Sequence, residues 1–241
     1  MLQKSIIIQN KTITIPAILW GEHTGNLYIA VHGNMSNKAD EPIVIFAEEA
    51  VKKGYQVLSF DLPEHGERSK EPYPCKPDPC VSDLNAVYDY ARSIADHISF
   101  FGCSMGVYFG LLAYSGMPIE KSLFLSPLVD MGRVIDDLMT GFQIPAETLE
   151  EKLEIALPVG ITLYWDYYCY VKTHPIGFWN VPTRILYGTE DDQIPLDEVS
   201  AFAEKNSAVL DVVEGGEHYF HTEEQLRSFR NWLVNSIDSV K

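Results

Sequence analysis

The chain has 241 residues, of which 46% are hydrophobic and 12% aromatic, and its formal net charge is −16 at pH 7. This length and composition favour one globular domain with a substantial core and exclude a disordered polypeptide. The acidic excess repels phosphate backbones and anionic lipids, and no basic cluster offsets it locally, so nucleic acid is not expected as a partner.

The N-terminal segment lacks the features of a secretory signal. Its sequence, MLQKSIIIQNKTITIP, has only three consecutive isoleucines before polar residues resume. No stretch has the apolar length that a membrane span requires, so we expect a cytoplasmic protein without a membrane span. Its four cysteines are then expected to be reduced thiols. For Cys75 and Cys80, the only close pair, we favour two loop thiols over a disulfide or a metal site.

Short β-branched segments alternate with amphipathic helical stretches, a pattern that predicts a mainly parallel sheet with helices on both faces. The first segments, KSIIIQ and TITIPAILW, predict an N-terminal hairpin. LYIAVHG is apolar throughout, as expected of a strand buried on both sides. A helix with Pro42 in its first turn follows and ends at Gly54. The strand YQVLSFDLP, a loop rich in proline and charge over 62–80 and a helix near 82–94 come next.

The second half repeats this alternation around one exception. HISFFGCS and KSLFLSPL predict strands that flank a helix over 105–115. Residues 129–178 then have a helical pattern without an intervening strand, and their length predicts an inserted cap between core segments 1–128 and 179–241. After the cap, TRILYGTEDD predicts a strand and a loop, 195–205 a helix, and AVLDVVEGGEH a strand and a loop. Thr222 and Gln225 are spaced as a capping box at the start of the last helix.

The predicted cap contains the ring-rich segment TLYWDYYCY, residues 162–170. Packing of the insertion onto the core accounts for at least half of these rings. A cap over an active site must also face a substrate, so some rings are expected to line an apolar channel. The candidates are Tyr164, Trp165 and Tyr168.

The segment FFGCSMGVYFG, residues 101–111, contains G-x-S-x-G between a predicted strand and a predicted helix. A nucleophile in such a strained turn needs glycine two positions before and after it, since side chains there would collide with the neighbouring strand and helix. A turn that merely favours small residues is the simpler explanation of Gly102 and Gly106. In this context we favour Ser104 as a nucleophile.

A serine hydroxyl becomes reactive when a base accepts its proton and a carboxylate orients that base. Asp191, in LYGTEDDQIP, and His218, in VVEGGEHYFH, each follow a predicted strand. Ligand sites of α/β sheets lie at the carboxyl ends of strands, so both can meet Ser104. The chain order Ser, Asp, His is that of one hydrolase architecture and differs from the chymotrypsin and subtilisin orders.

Other acids and bases compete for these positions. Asp192 adjoins Asp191 but is explained as a turn acid before the following helix, and Asp130, after LFLSPL, is a weaker candidate for the carboxylate. His221 falls at the entrance to the last helix. His218 is preferred because the glycines before it free its loop.

The segment VHGNMSNK supplies a candidate for the second half of an oxyanion hole. Gly33 lets backbone amides face a reacting carbonyl, and the expected donors are the N–H groups of Asn34 and Met105, with that of Met35 as the fallback. His32 is expected to hold this turn by hydrogen bonds.

Together these segments resemble the α/β-hydrolase family, and the resemblance covers nearly the whole chain outside the cap. It implies that family's fold, and the most similar members are compact serine hydrolases of the monoglyceride lipase and serine aminopeptidase type. The family's D-x-P-G-H-G-x-S loop has glycine where this chain has Glu64, so no catalytic role is assigned to Glu64. The matching segments are the HG turn at 32–33, FDLPEHGERS at 60–69, the turn at 102–106, GTEDDQIP at 188–195 and GGEHYF at 215–220.

These observations predict a serine hydrolase that needs no metal or organic cofactor and acts on a small-molecule ester or thioester. Ser104 would attack the carbonyl, His218 would accept and return the proton, and Asp191 would hold the imidazole. One alternative is a serine aminopeptidase of the same fold that binds a substrate ammonium through cap acids, although their spacing equally fits a solvated helix face. Another is a catalytically silent binding module. The cap acids are Glu147, Glu150, Glu151 and Glu154.

Overall fold

A computed structural model describes residues 1–240 of the chain. These residues contain ten strands, most of them short and rich in β-branched or aromatic residues. The strands are β1 (Gln3–Asn10), β2 (Ile13–Trp20), β3 (Asn26–Val31), β4 (Gln56–Phe60), β5 (His97–Cys103), β6 (Ser122–Leu125), β7 (Glu154–Ala156), β8 (Thr162–Tyr164), β9 (Thr183–Glu190) and β10 (Val209–Glu217).

The same described part of the chain contains eight α-helices, which lie between the strands or follow the last one. They are α1 (Glu41–Lys52), α2 (Pro77–Ile94), α3 (Met105–Tyr114), α4 (Met131–Gly141), α5 (Ala146–Lys152), α6 (Trp165–Thr173), α7 (Leu196–Asn206) and α8 (Glu223–Ser236). None of the helices within residues 1–240 combines the length and hydropathy that crossing a bilayer requires.

Eight strands form one sheet in the order β1-β2-β4-β3-β5-β6-β9-β10. β1 and β2 pair antiparallel from Gln3 opposite Trp20 to Asn10 opposite Ile13, which confirms the predicted N-terminal hairpin. β2 also runs antiparallel to β4, and all later neighbours are parallel. The mainly parallel sheet is therefore confirmed, and the carboxyl ends of β3, β5, β9 and β10 lie at one edge.

The sheet has an apolar cluster on each face because successive side chains of its strands alternate in direction. In β3, Leu27, Ile29 and Val31 join the cluster under α2, α3 and α7, whereas Tyr28 and Ala30 join the cluster under α1 and α8. All five side chains are fully buried. This is the reason for the unbroken apolar sequence of the strand.

The chain between β6 and β9 differs from the purely helical segment expected over 129–178. α5 ends at Lys152, its C-cap Leu153 has a φ of +65°, and β7 and β8 form an antiparallel hairpin before α6 begins. Its turn is closed by the Leu157 N–H donating to the Ile161 carbonyl at 2.7 Å. Short β-prone segments such as Thr162–Tyr164 escape a search for helical periodicity because three residues are less than one helical turn.

Two helix starts illustrate which local patterns were informative. At α8 the Thr222 hydroxyl accepts from the Gln225 N–H and the Gln225 side chain accepts from the Thr222 N–H, which confirms the predicted capping box. α2 instead begins at Pro77, several residues before the predicted start near 82. Proline fits the first turn of a helix, so a segment classed as loop for its prolines is the helix N-terminus.

Candidate active site

Ser104 occupies the sharp turn between β5 and α3, with φ of +46° and ψ of −118°. This backbone conformation is strained for a residue with a side chain. A Cβ on Gly102 would lie 2.9 Å from a Val107 methyl carbon, and a Cβ on Gly106 would lie 2.5 Å from the His32 carbonyl oxygen. The steric reason inferred from the sequence for both glycines therefore holds.

The structure brings together the three side chains proposed from the sequence. The Oγ of Ser104 lies 2.8 Å from Nε2 of His218, and Nδ1 of His218 lies 2.8 Å from Oδ2 of Asp191. An imidazole that carries its proton on Nδ1 satisfies both contacts, since it then donates to Asp191 and accepts from Ser104. The Asp191 carboxylate is fully buried and the His218 side chain is 9% exposed.

The Asp191 carboxylate is also held from its other side. Its Oδ1 accepts hydrogen bonds from the backbone N–H groups of Gln193, at 3.0 Å, and Ile194, at 2.9 Å. Asp191 follows β9 directly, and its side chain closes the turn that leads to α7. Three donors thus fix the orientation of this carboxylate toward His218.

The competing acids and base do not join this arrangement. Asp192 is exposed, and the Asp130 carboxylate caps α4 by accepting from the Arg133 N–H at 3.1 Å. The His221 ring is exposed, and its Nδ1 lies 2.7 Å from the Tyr219 carbonyl oxygen. His218 was preferred over His221 for the glycines before it, and Asp191 over Asp192 because a turn role accounted for Asp192; the structure brings the preferred pair to Ser104.

The loop after β3 lies directly against Ser104. A Cβ on Gly33 would be 3.3 Å from the Ser104 Cβ, so glycine permits this approach. Neither the Asn34 N–H nor the Met105 N–H donates to a backbone carbonyl within residues 1–240. Met35, the fallback donor, has a φ of +56° and is 85% exposed.

His32 has the structural role expected of it. Its Nδ1 lies 2.7 Å from the Gly33 carbonyl oxygen, and its Nε2 accepts from the Leu62 N–H at 3.0 Å. Burial, together with the nearby His65 imidazole, lowers the pKa of His32 to about 4. The ring is therefore neutral near pH 7, as its accepting Nε2 requires.

Sequence reasoning missed a buried ion pair that fixes the neighbouring loops. Asp61 is fully buried and accepts from the Lys38 ammonium at 2.6 Å, the Lys38 N–H at 2.8 Å and the Glu67 N–H at 3.0 Å. Gly66 packs against it so closely that a Cβ would lie 2.3 Å from its Oδ1. The aspartate at the second position of FDLPEHGERS was the available signal, since a buried carboxylate needs donors nearby.

Glu64 shows why the resembling family has glycine at its position. Its φ is +62°, a left-handed conformation that favours glycine. The Glu64 carboxylate accepts from the Cys75 N–H at 2.8 Å, so the side chain ties two parts of the loop together. The adjacent His65 places its Nε2 3.2 Å from Oδ1 of Asn34.

A cleft of about 490 Å³ lies between the 64–76 loop and residues 153–166. Tyr164 and Trp165 line it, whereas Tyr168 packs beside Trp165 with 5.6 Å between the ring centroids. The cleft is not purely apolar, because Lys76 lies over the Tyr164 ring and pairs with Asp166. Its other carboxylates are Glu64, Glu71 and Glu154.

No group of three or more His, Cys, Asp or Glu side chains within residues 1–240 is arranged to hold a metal ion. Cys75 and Cys80 are both free thiols.

Solved structures with similar architecture identify the fold. Est1E from Butyrivibrio proteoclasticus superposes with a TM-score of 0.79 at 20% identity, over 96% of this chain and 96% of its own. The chain has the α/β-hydrolase fold. Other proteins similar to this chain in structure are mouse alpha/beta hydrolase domain-containing protein 10 (TM-score 0.77, 17% identity, 97% of this chain and 98% of its own) and the Pyrococcus furiosus esterase Pf2001 (TM-score 0.69, 20% identity, 97% and 89%).

No family model matches this sequence, and no curated protein matches it. At identities of 17–20% the structural similarity establishes the fold. The chemistry is argued from the site itself, since one fold hosts many activities.

Proposed function

We propose that this α/β hydrolase is a serine hydrolase that cleaves a carboxylic ester or thioester through an acyl-enzyme on Ser104. The observation that carries the proposal is the continuous set of contacts from Ser104 Oγ to His218 and from His218 to Asp191, each 2.8 Å long. A hydroxyl, an imidazole and a buried carboxylate in this order are the components of nucleophilic acyl transfer.

In the first half-reaction the Ser104 oxygen bonds to the carbonyl carbon while its proton passes to Nε2 of His218. The imidazolium then gives that proton to the leaving alcohol or thiol as the carbon–oxygen or carbon–sulfur bond breaks. In the second half-reaction water attacks the acyl-enzyme, His218 again accepts the proton, and Ser104 recovers it as the acid leaves. The reaction needs no metal or organic cofactor.

The tetrahedral oxyanion would be bound by the backbone N–H groups of Asn34 and Met105. Gly33 packs against the Ser104 Cβ, and Met105 is the first residue of α3, where the helix dipole favours negative charge. Loss of one such donor typically costs about 10²–10³-fold in rate. Met35 remains the fallback donor from the same loop.

The cleft beside the insertion is proposed to hold part of the substrate, with the insertion acting as its cap. Tyr164 and Trp165 supply ring surface for an acyl or alcohol group, and Lys76, paired with Asp166, lies over the Tyr164 ring. Glu64 in the wall of the cleft adjoins His65, whose Nε2 lies 3.2 Å from Oδ1 of Asn34 in the loop after β3. Est1E binds ferulic acid, so a feruloyl ester is a suitable member of a substrate panel.

Cleavage of an aminoacyl amide is the second candidate, since Glu154 lines the cleft and could bind an ammonium group. The other three acids suggested for that role, Glu147, Glu150 and Glu151, are solvent-exposed on α5. We favour an ester because a solvated helix face explains these three acids.

The proposal is tested by measuring turnover of short and long acyl esters, a thioester, a feruloyl ester and aminoacyl amides by wild type and Ser104→Ala. We expect ester or thioester turnover that falls at least about 10³-fold in Ser104→Ala. Turnover of aminoacyl amides alone would favour the peptidase. A folded wild type that turns over no member of the panel would favour the silent binding module.

A further inference from the structure

Cys75 and Cys80 are brought together by the first turn of α2. Lys76 is the N-cap of this helix and Pro77 its first residue, so the two cysteines occupy the positions immediately before the cap and four residues after it. Side chains at these two positions pack against each other in many helices. Here the two Sγ atoms are 3.6 Å apart, and both cysteines are free thiols.

The two thiols differ in access to solvent. Cys80 is fully buried on α2, whereas Cys75 is half-buried in the preceding loop. The backbone of Cys75 is fixed by its N–H, which donates to the Glu64 carboxylate at 2.8 Å. An oxidant from solvent therefore reaches Cys75 first, and the sulfur of Cys80 lies behind it.

The surroundings favour a thiolate on Cys75. A hydrogen bond from the Cys80 thiol, aided by the nearby His65 imidazole, lowers the pKa of Cys75 to about 7 against the effect of burial. Burial raises the pKa of Cys80. A thiolate is the attacking species in thiol–disulfide exchange. The other charged or titratable groups near the pair are Glu64 and Tyr73 from the loop, Arg68, Asp83 from α2 and Tyr167 from α6.

We propose that Cys75 and Cys80 form a dithiol that low-molecular-weight disulfides oxidise reversibly to an intramolecular disulfide. The Cys75 thiolate attacks one sulfur of the small disulfide, a mixed disulfide forms, and one thiolate leaves. The Cys80 sulfur then attacks Cys75 Sγ, the second small thiolate leaves, and it takes up the Cys80 proton. Two protein thiols are oxidised, and one small disulfide is reduced to two thiols.

Formation of the disulfide requires the loop that precedes α2 to move. A disulfide needs about 2.05 Å between the sulfurs, so the 3.6 Å separation must shorten. Cys80 lies within α2, whereas Cys75 precedes the helix. The residues adjacent to Cys75 in the sequence, Pro74 and Lys76, both line the 490 Å³ cleft. Oxidation would therefore reshape this wall of the cleft.

The two remaining thiols are separate from the pair. Cys103 lies beside Ser104 in the sequence. Burial raises the pKa of its thiol, so Cys103 is a poor nucleophile. Cys169 is exposed on α6. A Cys169→Ser background removes the exposed thiol and leaves the pair as the predicted site of oxidation.

The test incubates the Cys169→Ser protein with glutathione disulfide and follows it by intact mass and peptide mapping. We expect the loss of two hydrogens, no retained glutathione, a Cys75–Cys80 cross-linked peptide and full reversal by dithiothreitol. A Cys80→Ser variant should stop at one glutathione on Cys75, and Cys75→Ser should react at neither position. Circular dichroism checks that both variants are folded.

Two outcomes would overturn the proposal: glutathione retained on Cys75 when Cys80 is present, or both thiols unchanged under conditions that oxidise the urea-unfolded chain. These measurements do not depend on hydrolase activity, so they stand or fall separately from the proposed function.

Discussion

The hydroxyl of Ser104 lies 2.8 Å from Nε2 of His218, although the two residues are 114 positions apart in the chain. Ser104 follows β5 and His218 follows β10, and both strands end at the same edge of the sheet. The parallel sheet thus converts a large sequence separation into a hydrogen bond.

Asp191→Asn should lower kcat about 10⁴-fold if the carboxylate holds His218 in its working tautomer. The amide oxygen of the substituted side chain could still accept from the Gln193 and Ile194 N–H groups, so the fold should survive. Asp192→Asn, at the exposed neighbouring position, is the matched control and should leave kcat unchanged. Equal losses in both variants would contradict the assignment of Asp191.

Gly106→Ala should destabilise the fold by about 1–3 kcal/mol, because its Cβ would lie 2.5 Å from the Val31 and His32 carbonyl oxygens. Urea unfolding measures the loss. Gly141→Ala is the control, since a Cβ there meets no atom within 4 Å and should change the free energy of unfolding by less than about 0.5 kcal/mol. Similar values for the two variants would show that the close approach at Gly106 relaxes without cost.

The pH dependence of stability should contain a contribution from His32. The pKa of His32 is about 4 in the folded protein and about 6.5 in the unfolded chain. Between pH 4 and pH 6.5 the unfolded chain therefore binds a proton on His32 that the folded protein does not bind. Stability should therefore fall as pH drops from 6.5 to 4, by up to about 3 kcal/mol from this group. Urea unfolding of wild type and His32→Gln isolates the contribution, and identical pH slopes for the two proteins would refute it.

Alkylation of Cys75 should have its midpoint near pH 7, because the hydrogen bond from Cys80 stabilises the Cys75 thiolate. An unperturbed thiol would give a midpoint near 8.5. In Cys80→Ala the midpoint should move upward, since the donor is removed. The rate of iodoacetamide incorporation at Cys75, measured by peptide mapping from pH 6 to 9, checks both values. An identical midpoint in wild type and Cys80→Ala would exclude this cause.

The parts of the site that could be predicted from the sequence are those carried by regular strands. Ser104, Asp191 and His218 each directly follow a strand, and the parallel order of those strands brings their ends together. The close packing at Gly102 and Gly106 was likewise inferred from local sterics.

Features that depend on contacts between loops were not predictable in this way. Lys38 and Asp61 form an ion pair although they are 23 residues apart. The sequence around either residue does not indicate which residue it pairs with. The hairpin of β7 and β8 is too short to produce a periodic pattern, and its pairing is set by packing. Tyr168 was expected to line the substrate channel, but it packs against Trp165 and does not line the cleft. This too depends on how α6 packs.

The most direct test of the central claim is covalent labelling of the folded protein with a fluorophosphonate, followed by mapping of the modified residue. We predict one adduct, on Ser104, that is absent from Ser104→Ala and forms much more slowly in His218→Ala. A folded wild type that stays unlabelled, or an adduct that persists in Ser104→Ala, would contradict the claim that His218 makes the Ser104 hydroxyl a nucleophile.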